Sequence, residues 1–159
     1  MSNIIKAFIN ILNNPQLELI DFYSGRNRMN NSGQALERYV QDAFAGTINE
    51  QDEARRLDIL SEVYSYEGNQ NNPPDLMLRG SDAIEVKKLQ SKNSAIALNG
   101  SYPKSKLFSN SPMLTTACRE CEDWREKDII YAVGYTSNSR LKSLLVCVWG
   151  LFLCRYGGL

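Results

Sequence analysis

The chain has 159 residues, 43% of them hydrophobic and 23% charged, a balance that fits one ordinary globular domain and excludes a disordered or fibrous chain. Eighteen basic residues offset eighteen acidic ones, which excludes a global positive field of the kind that coats nucleic acid or membrane without specificity. Histidine is absent. Ser-His-Asp and Cys-His catalysis and His-bearing zinc sites are therefore excluded, and any acid-base or metal chemistry must run on carboxylates, lysine, tyrosine or cysteine.

In chain order, Ile4, Ile5, Phe8, Ile9, Ile11 and Leu12 recur at helical spacing before Pro15, and a short helical stretch, Leu17 to Tyr23, follows; both are expected to be packing elements. The polar run Gly25 to Gly33 reads as a loop, with Ser32 as N-cap of a helix that carries Ala35, Leu36, Tyr39, Val40, Ala43 and Phe44 on one face. Glu50 to Leu60 is charged and reads as a solvated helix. The period then changes. Val63, Ser65 and Glu67 alternate with Tyr64 and Tyr66 as in a strand, until Gly68-Asn69-Gln70-Asn71-Asn72-Pro73-Pro74 breaks the pattern.

Two strands are expected next, Asp75 to Leu78 and Ala83 to Lys87, joined by Arg79-Gly80-Ser81-Asp82 as a tight hairpin turn. After a polar stretch from Gln90 to Lys106, Met113 to Trp124 reads as a helix, and Ile129 to Tyr135 and Leu144 to Trp149 as strands. This order predicts one α/β domain in which helices flank a mixed sheet. The N-terminus carries no basic segment followed by a long apolar core, so the chain is expected to be cytoplasmic with reduced thiols. The longest apolar run, Leu144 to Cys154 broken only by Gly150, is too short to span a bilayer.

The period-2 rule puts Glu85 and Lys87 on one face of their strand and Ile84 and Val86 on the other, buried one. Asp75 can approach that polar face across the hairpin. Two carboxylates and one ammonium at a sheet edge suit a hard divalent cation, above all Mg²⁺, which keeps most of its waters and binds one or two carboxylates plus a substrate phosphate. Such an ion polarises a phosphodiester and activates water, while the lysine orients that water and offsets developing charge. Between Arg79 and Lys106, six basic residues (Arg79, Lys87, Lys88, Lys92, Lys104, Lys106) face two acids, Asp82 and Glu85. This local excess suits phosphate contacts. Arg26, Arg28, Asn69, Gln70, Asn71 and Asn72 are candidates for reading base edges, although Asn-rich turns also form for conformational reasons. Cys118 and Cys121 form a lone CxxC, expected to be core packing rather than a zinc site.

Pro74-Asp75, nine intervening residues, then Glu85-x-Lys87 resembles the PD-(D/E)xK nuclease signature. A wider resemblance rests on Gly25-Arg26-Asn27-Arg28-Met29-Asn30, Gly68 to Asp75, Asp82 to Lys88, Ser101-Tyr102-Pro103-Lys104 and Ala117-Cys118-Arg119-x-Cys121-Glu122-Asp123-Trp124. Together these resemble the NgoPII family of type II restriction endonucleases. The resemblance implies a restriction-endonuclease-like core, Mg²⁺ as cofactor, and cleavage of double-stranded DNA at GGCC. It also implies a cognate DNA methyltransferase as genetic partner. Asp75 and Glu85 would be metal ligands, Lys87 the catalytic lysine and Glu37 an accessory ligand. A homodimer is expected, because two symmetry-related sites most simply cut both strands of a palindrome. The single domain 1–159 would divide into a helical part (1–60), a catalytic αβ core (61–144) and a tail (145–159).

That tail is anomalous, since Leu145 to Cys154 never acquires a polar face. Codons that the genetic code permits for this stretch, read with one T removed, give Trp-Phe-Val-Tyr-Gly-Asp-Cys-Phe-Cys-Ala-Asp-Met-Glu-Val, which resembles how the family continues. The expectation is a single-base insertion near the Leu145 codon, with an inactive, truncated remnant as the alternative to an active enzyme. A natural hydrophobic strand is the plainer reading.

Overall fold

The computed structural model describes residues 2–24, 32–69, 71–89, 91, 104–138 and 140–148. The N-terminal part is helical. α1 (Ile4–Asn13) is capped by Asn3, whose side chain accepts from the Lys6 N–H at 3.0 Å. It is followed by α2 (Leu19–Ser24) and α3 (Ser32–Ala45). α4 (Glu53–Val63) starts at Asp52, which accepts from the N–H groups of Ala54 and Arg55, satisfying donors that a helix start leaves open.

The chain then passes into β1 (Tyr64–Asn69), β2 (Asn72–Leu78), β3 (Ala83–Leu89), β4 (Lys106–Phe108), α5 (Thr116–Glu120), β5 (Glu126–Ser137) and β6 (Arg140–Val148). The strands form one mixed sheet in the order β1-β2-β3-β5-β4, with β6 also on β5. β1, β2 and β3 are antiparallel neighbours, whereas β3 and β5 run parallel from Ala83↔Ile129 to Leu89↔Tyr135. A parallel pair needs a long crossover, and the chain between Leu89 and Glu126 is long enough for one.

Each face of the sheet buries its own core. On one side Ile84, Val86, Ile130 and Ala132 pack against Leu36, Tyr39, Val40 and Phe44 of α3. On the other, Met77, Ala83, Ile129, Tyr131 and Val133 pack with Leu107, Leu114 and Cys118. The helix approaches the sheet closely at Gly134, where a Cβ would lie 2.5 Å from Leu36 Cδ2. The expected face of α3 is buried throughout.

Several elements differ from the sequence expectation. The run Gly68 to Pro74 does not end the strands but turns β1 into β2: the Asn69 side chain accepts from the N–H groups of Asn71 (2.9 Å) and Asn72 (3.0 Å), closing the turn locally,. The helix expected over Met113 to Trp124 is only α5. Thr115 caps it by accepting from Cys118 N–H at 3.1 Å, and Arg119 ties the preceding loop down through the carbonyls of Ser109 and Ser111. Ala117 is exposed, while Cys118 is buried with its sulfur 3.4 Å from that of Met77.

α4 is not merely solvated. Arg56 is buried and bonded to Asp42 Oδ1 at 2.7 Å and Gln41 Oε1 at 3.0 Å, and Asp42 also accepts from the hydroxyls of Tyr23 (3.0 Å) and Thr47 (2.6 Å). α1 likewise buries only Ala7 fully, leaving Ile5, Phe8, Ile9 and Leu12 exposed. Among the described residues no helix is long and apolar enough to cross a membrane.

Candidate active site

Gly80, at φ +66°, lets Arg79-Gly80-Ser81-Asp82 turn β2 back into β3, as the spacing predicts,. The ladder between the two strands then runs from Met77↔Ala83 to Leu76↔Ile84. Beyond it, a side chain takes over from the main chain: Asp75 Oδ2 accepts from the Val86 N–H at 2.6 Å. Asp75 thereby stands opposite Glu85, on the face away from buried Ile84 and Val86. Lys87 closes the group, its Nζ 2.6 Å from Glu85 Oε1, with both side chains about one-sixth exposed (17% and 16%).

Glu37 reaches the same site from α3. It is exposed at the rim; burial of its inner side raises its pKa, Lys87 counters that rise and Glu85 adds to it. For Asp75, burial is the main cause of a pKa pushed up to about 7, and the charge of Glu85 adds to it; the Val86 N–H and Lys87 only partly oppose them. Burial alone would lower the Lys87 ammonium, but Glu85, Asp75 and Glu37 together hold it above its ordinary value. Three carboxyl groups thus surround one firmly protonated lysine. With a pKa of about 7, Asp75 is only partly ionised at neutral pH, which tempers the negative charge gathered around that lysine.

Among the described residues, no three Asp, Glu or Cys groups converge into a preformed metal cage. The donor set nonetheless fits a hard cation that keeps most of its own waters, because such an ion needs only one or two protein carboxylates. Asp75 and Glu85 meet that requirement. Glu37 shares their electrostatic field without completing a closed cage.

Beside Glu85 and Lys87 lies a recess of about 90 Å³, walled by Pro73 and Pro74 at the head of β2, Leu107 on β4, Met113 in the following loop, and Ile129 and Tyr131 on β5. Lys104 stands at its edge and is exposed. Tyr131 is the site residue that sequence reasoning missed. Its place beside Glu85 depends on the parallel β3–β5 register, Glu85↔Tyr131, for which the sequence carries no local signal.

The basic residues divide. Lys88 is exposed at the end of β3. Lys106 is exposed but bonded to Glu126 at 2.6 Å and lies 3.7 Å from Asp128. Arg79 binds the carbonyls of Ser61, Glu62 and Tyr64 and so belongs to the scaffold. Asn69 closes the β1–β2 turn, Asn71 is exposed there, and Asn72 donates to the Met113 carbonyl at 2.9 Å. Arg26, Arg28, Gln70 and Lys92 lie outside the described residues.

A mixed sheet with one parallel strand pair, helices packed on it, and an Asp and a Glu-x-Lys brought together where a hairpin opens defines a restriction-endonuclease-like α/β core. Comparison with known proteins is specific. The family model described as NgoPII restriction endonuclease matches residues 2–155, and the chain belongs to that family. It is 49% identical over 152 residues to the type II restriction enzyme NgoPII of Neisseria gonorrhoeae, a match that covers 96% of this chain and 54% of the relative. The chain thus spans about half the length of that curated relative. No solved structure matches it.

Proposed function

We propose that this chain carries the catalytic site of a type II restriction endonuclease, which hydrolyses phosphodiester bonds of double-stranded DNA at a short palindrome, GGCC, with Mg²⁺ as cofactor. The observation that carries the reading is the cluster of Asp75, Glu85 and Lys87 at the opening of the β2–β3 hairpin, in a chain of this family. Asp75 and Glu85 would hold the ion, with Glu37 as an accessory carboxylate. When bound, it polarises the scissile phosphate and makes water at the site more acidic.

Lys87 is held protonated, so it acts as a hydrogen-bond donor: it orients the attacking water and offsets the charge that develops on phosphorus oxygens,. The water oxygen bonds phosphorus as the bond to the leaving sugar oxygen breaks, the water giving up a proton to solvent and the leaving oxygen taking one from solvent. Lys88, Lys104 and Lys106 supply phosphate contacts around this point, and Arg26, Arg28, Asn69, Gln70, Asn71 and Asn72 are the candidates for base reading. A homodimer acting in the cytoplasm, beside a cognate DNA methyltransferase that protects the same sequence, completes the proposal.

Titrating Mg²⁺ into the purified chain with duplex DNA tests it. Cleavage at GGCC that vanishes in Lys87→Ala and in Asp75→Ala is the expected result, and activity surviving both substitutions overturns the assigned site. A second reading, a silent remnant left by a frameshift near Leu145, draws on the apolar run from Leu145 to Cys154. DNA binding without cleavage, together with a gene in which deleting one base near that codon opens a longer frame, would select it.

A further inference from the structure

We propose that Tyr131 is a positioning residue for DNA, holding Lys104 where its ammonium meets a backbone phosphate next to the one at Asp75, Glu85 and Lys87. The inference rests on the reading that this chain binds duplex DNA.

Tyr131 is buried, with 7% of its surface accessible, on the strand face that carries Glu85 and Lys87. In a parallel pair, opposed residues stand side by side about 4.8 Å apart on the same face, so the ring lies against the catalytic carboxylate across the Glu85↔Tyr131 register. Its hydroxyl does two things at once. It accepts from the Lys104 N–H at 3.1 Å and donates to the Lys104 carbonyl at 3.2 Å. One hydroxyl can make both bonds together, and they fix both main-chain polar groups of a single residue. The next residue is stitched to the same strand, the Ser105 carbonyl accepting from Ile129 N–H at 2.9 Å.

Lys104 is thus tied by its backbone to β5 while its side chain is exposed at the rim of the recess shared by Glu85, Lys87 and Tyr131. An exposed lysine on an untethered segment neutralises phosphate wherever it happens to swing. One whose main chain is pinned beside the reacting group contributes at a set distance, which is how phosphate contacts fix register.

A buried tyrosine that merely satisfies its hydroxyl would leave DNA binding untouched when replaced by phenylalanine, because the ring keeps its packing. The test is fluorescence anisotropy of a labelled GGCC duplex in EDTA at several salt concentrations, using wild type, Tyr131→Phe, Lys104→Ala and the double variant, with thermal unfolding of each alongside. Tyr131→Phe is expected to weaken binding about fivefold and to flatten the salt dependence toward that of Lys104→Ala, which loses about 0.9 of log–log slope for one phosphate contact. The double variant should bind no worse than Lys104→Ala. Wild-type affinity and slope in Tyr131→Phe, or additive losses in the double variant, would overturn the proposal. Should Tyr131→Phe unfold early, Lys104→Ala with an unchanged slope overturns it instead. Wild-type protein that shows no salt-dependent binding at all sinks the DNA-binding reading itself, a result distinct from failure of Tyr131 alone.

Discussion

Asp75 is the residue at which stability and the proposed function would pull apart. Its carboxyl has an ordinary pKa of 3.8 and is raised to about 7 in the fold, so the folded protein holds the proton more tightly than the unfolded chain. For an acid raised in this way, stability is greatest at low pH and declines as pH rises from about 4 through about 7,. Asp75→Asn keeps an oxygen that can accept from Val86 N–H and removes the repulsion with Glu85. In EDTA at pH 8.5 the variant should therefore melt at least several degrees above wild type, an advantage that shrinks at pH 6. Its cleavage activity should fall on the order of a thousandfold. Equal melting temperatures at pH 8.5 would refute the account. Mg²⁺ should in turn raise the melting temperature of wild type at pH 8.5 more than that of Asp75→Asn, which keeps Glu85 but lacks the second carboxylate proposed to hold the ion.

At the scale of elements, the β1–β2 turn sets where Asp75 sits. A Cβ on Gly68 would collide with the Pro74 carbonyl oxygen and come within 3.0 Å of the Asp75 carbonyl oxygen. Both atoms belong to backbone, which cannot step aside as a flexible side chain can. Gly68→Ala is thus expected to displace the head of β2 and reduce cleavage about tenfold or more, while far-ultraviolet circular dichroism stays close to wild type; full activity would show that the turn does not position the site.

The hairpin itself was legible in advance, because the Arg79 to Asp82 turn and the alternation of Ile84, Glu85, Val86 and Lys87 are local signals. What lay beyond reach is long-range. The crossover that makes β3 and β5 parallel decides that Tyr131, and not a neighbour, stands beside Glu85, and no spacing within either strand encodes that register. α4 shows the same limit from the other side: a charged helix reads as solvated, and only the fold reveals that Arg56 turns inward to meet Asp42.

That inward pair bears on the whole molecule. Asp42 receives three donors, from Arg56, Tyr23 and Thr47, and so links α2, α3, α4 and the segment between the last two. Removing one partner of a buried ion pair costs about 3–5 kcal/mol, and without Asp42 the buried Arg56 would keep only Gln41 and a 3.5 Å contact with Glu53. That is a large part of a typical stability of about 5–15 kcal/mol. Asp42→Ala should accordingly unfold at much lower urea concentration than wild type, whereas Arg55→Ala, which breaks an exposed pair with Glu50, should shift the midpoint little. Similar midpoints for the two variants would mean that the network does not hold the helices together.

Where the ladder between β2 and β3 ends, the Val86 amide bonds to a side chain and not to a strand. A main-chain proton in this position is a built-in reporter. Its resonance responds to the charge on the carboxylate that accepts from it, so a ¹⁵N-labelled sample titrated with Mg²⁺ should show the Val86 cross-peak moving, while amides locked between β5 and β6 stay still. Occupancy of the site could thus be followed in the absence of DNA and of any turnover.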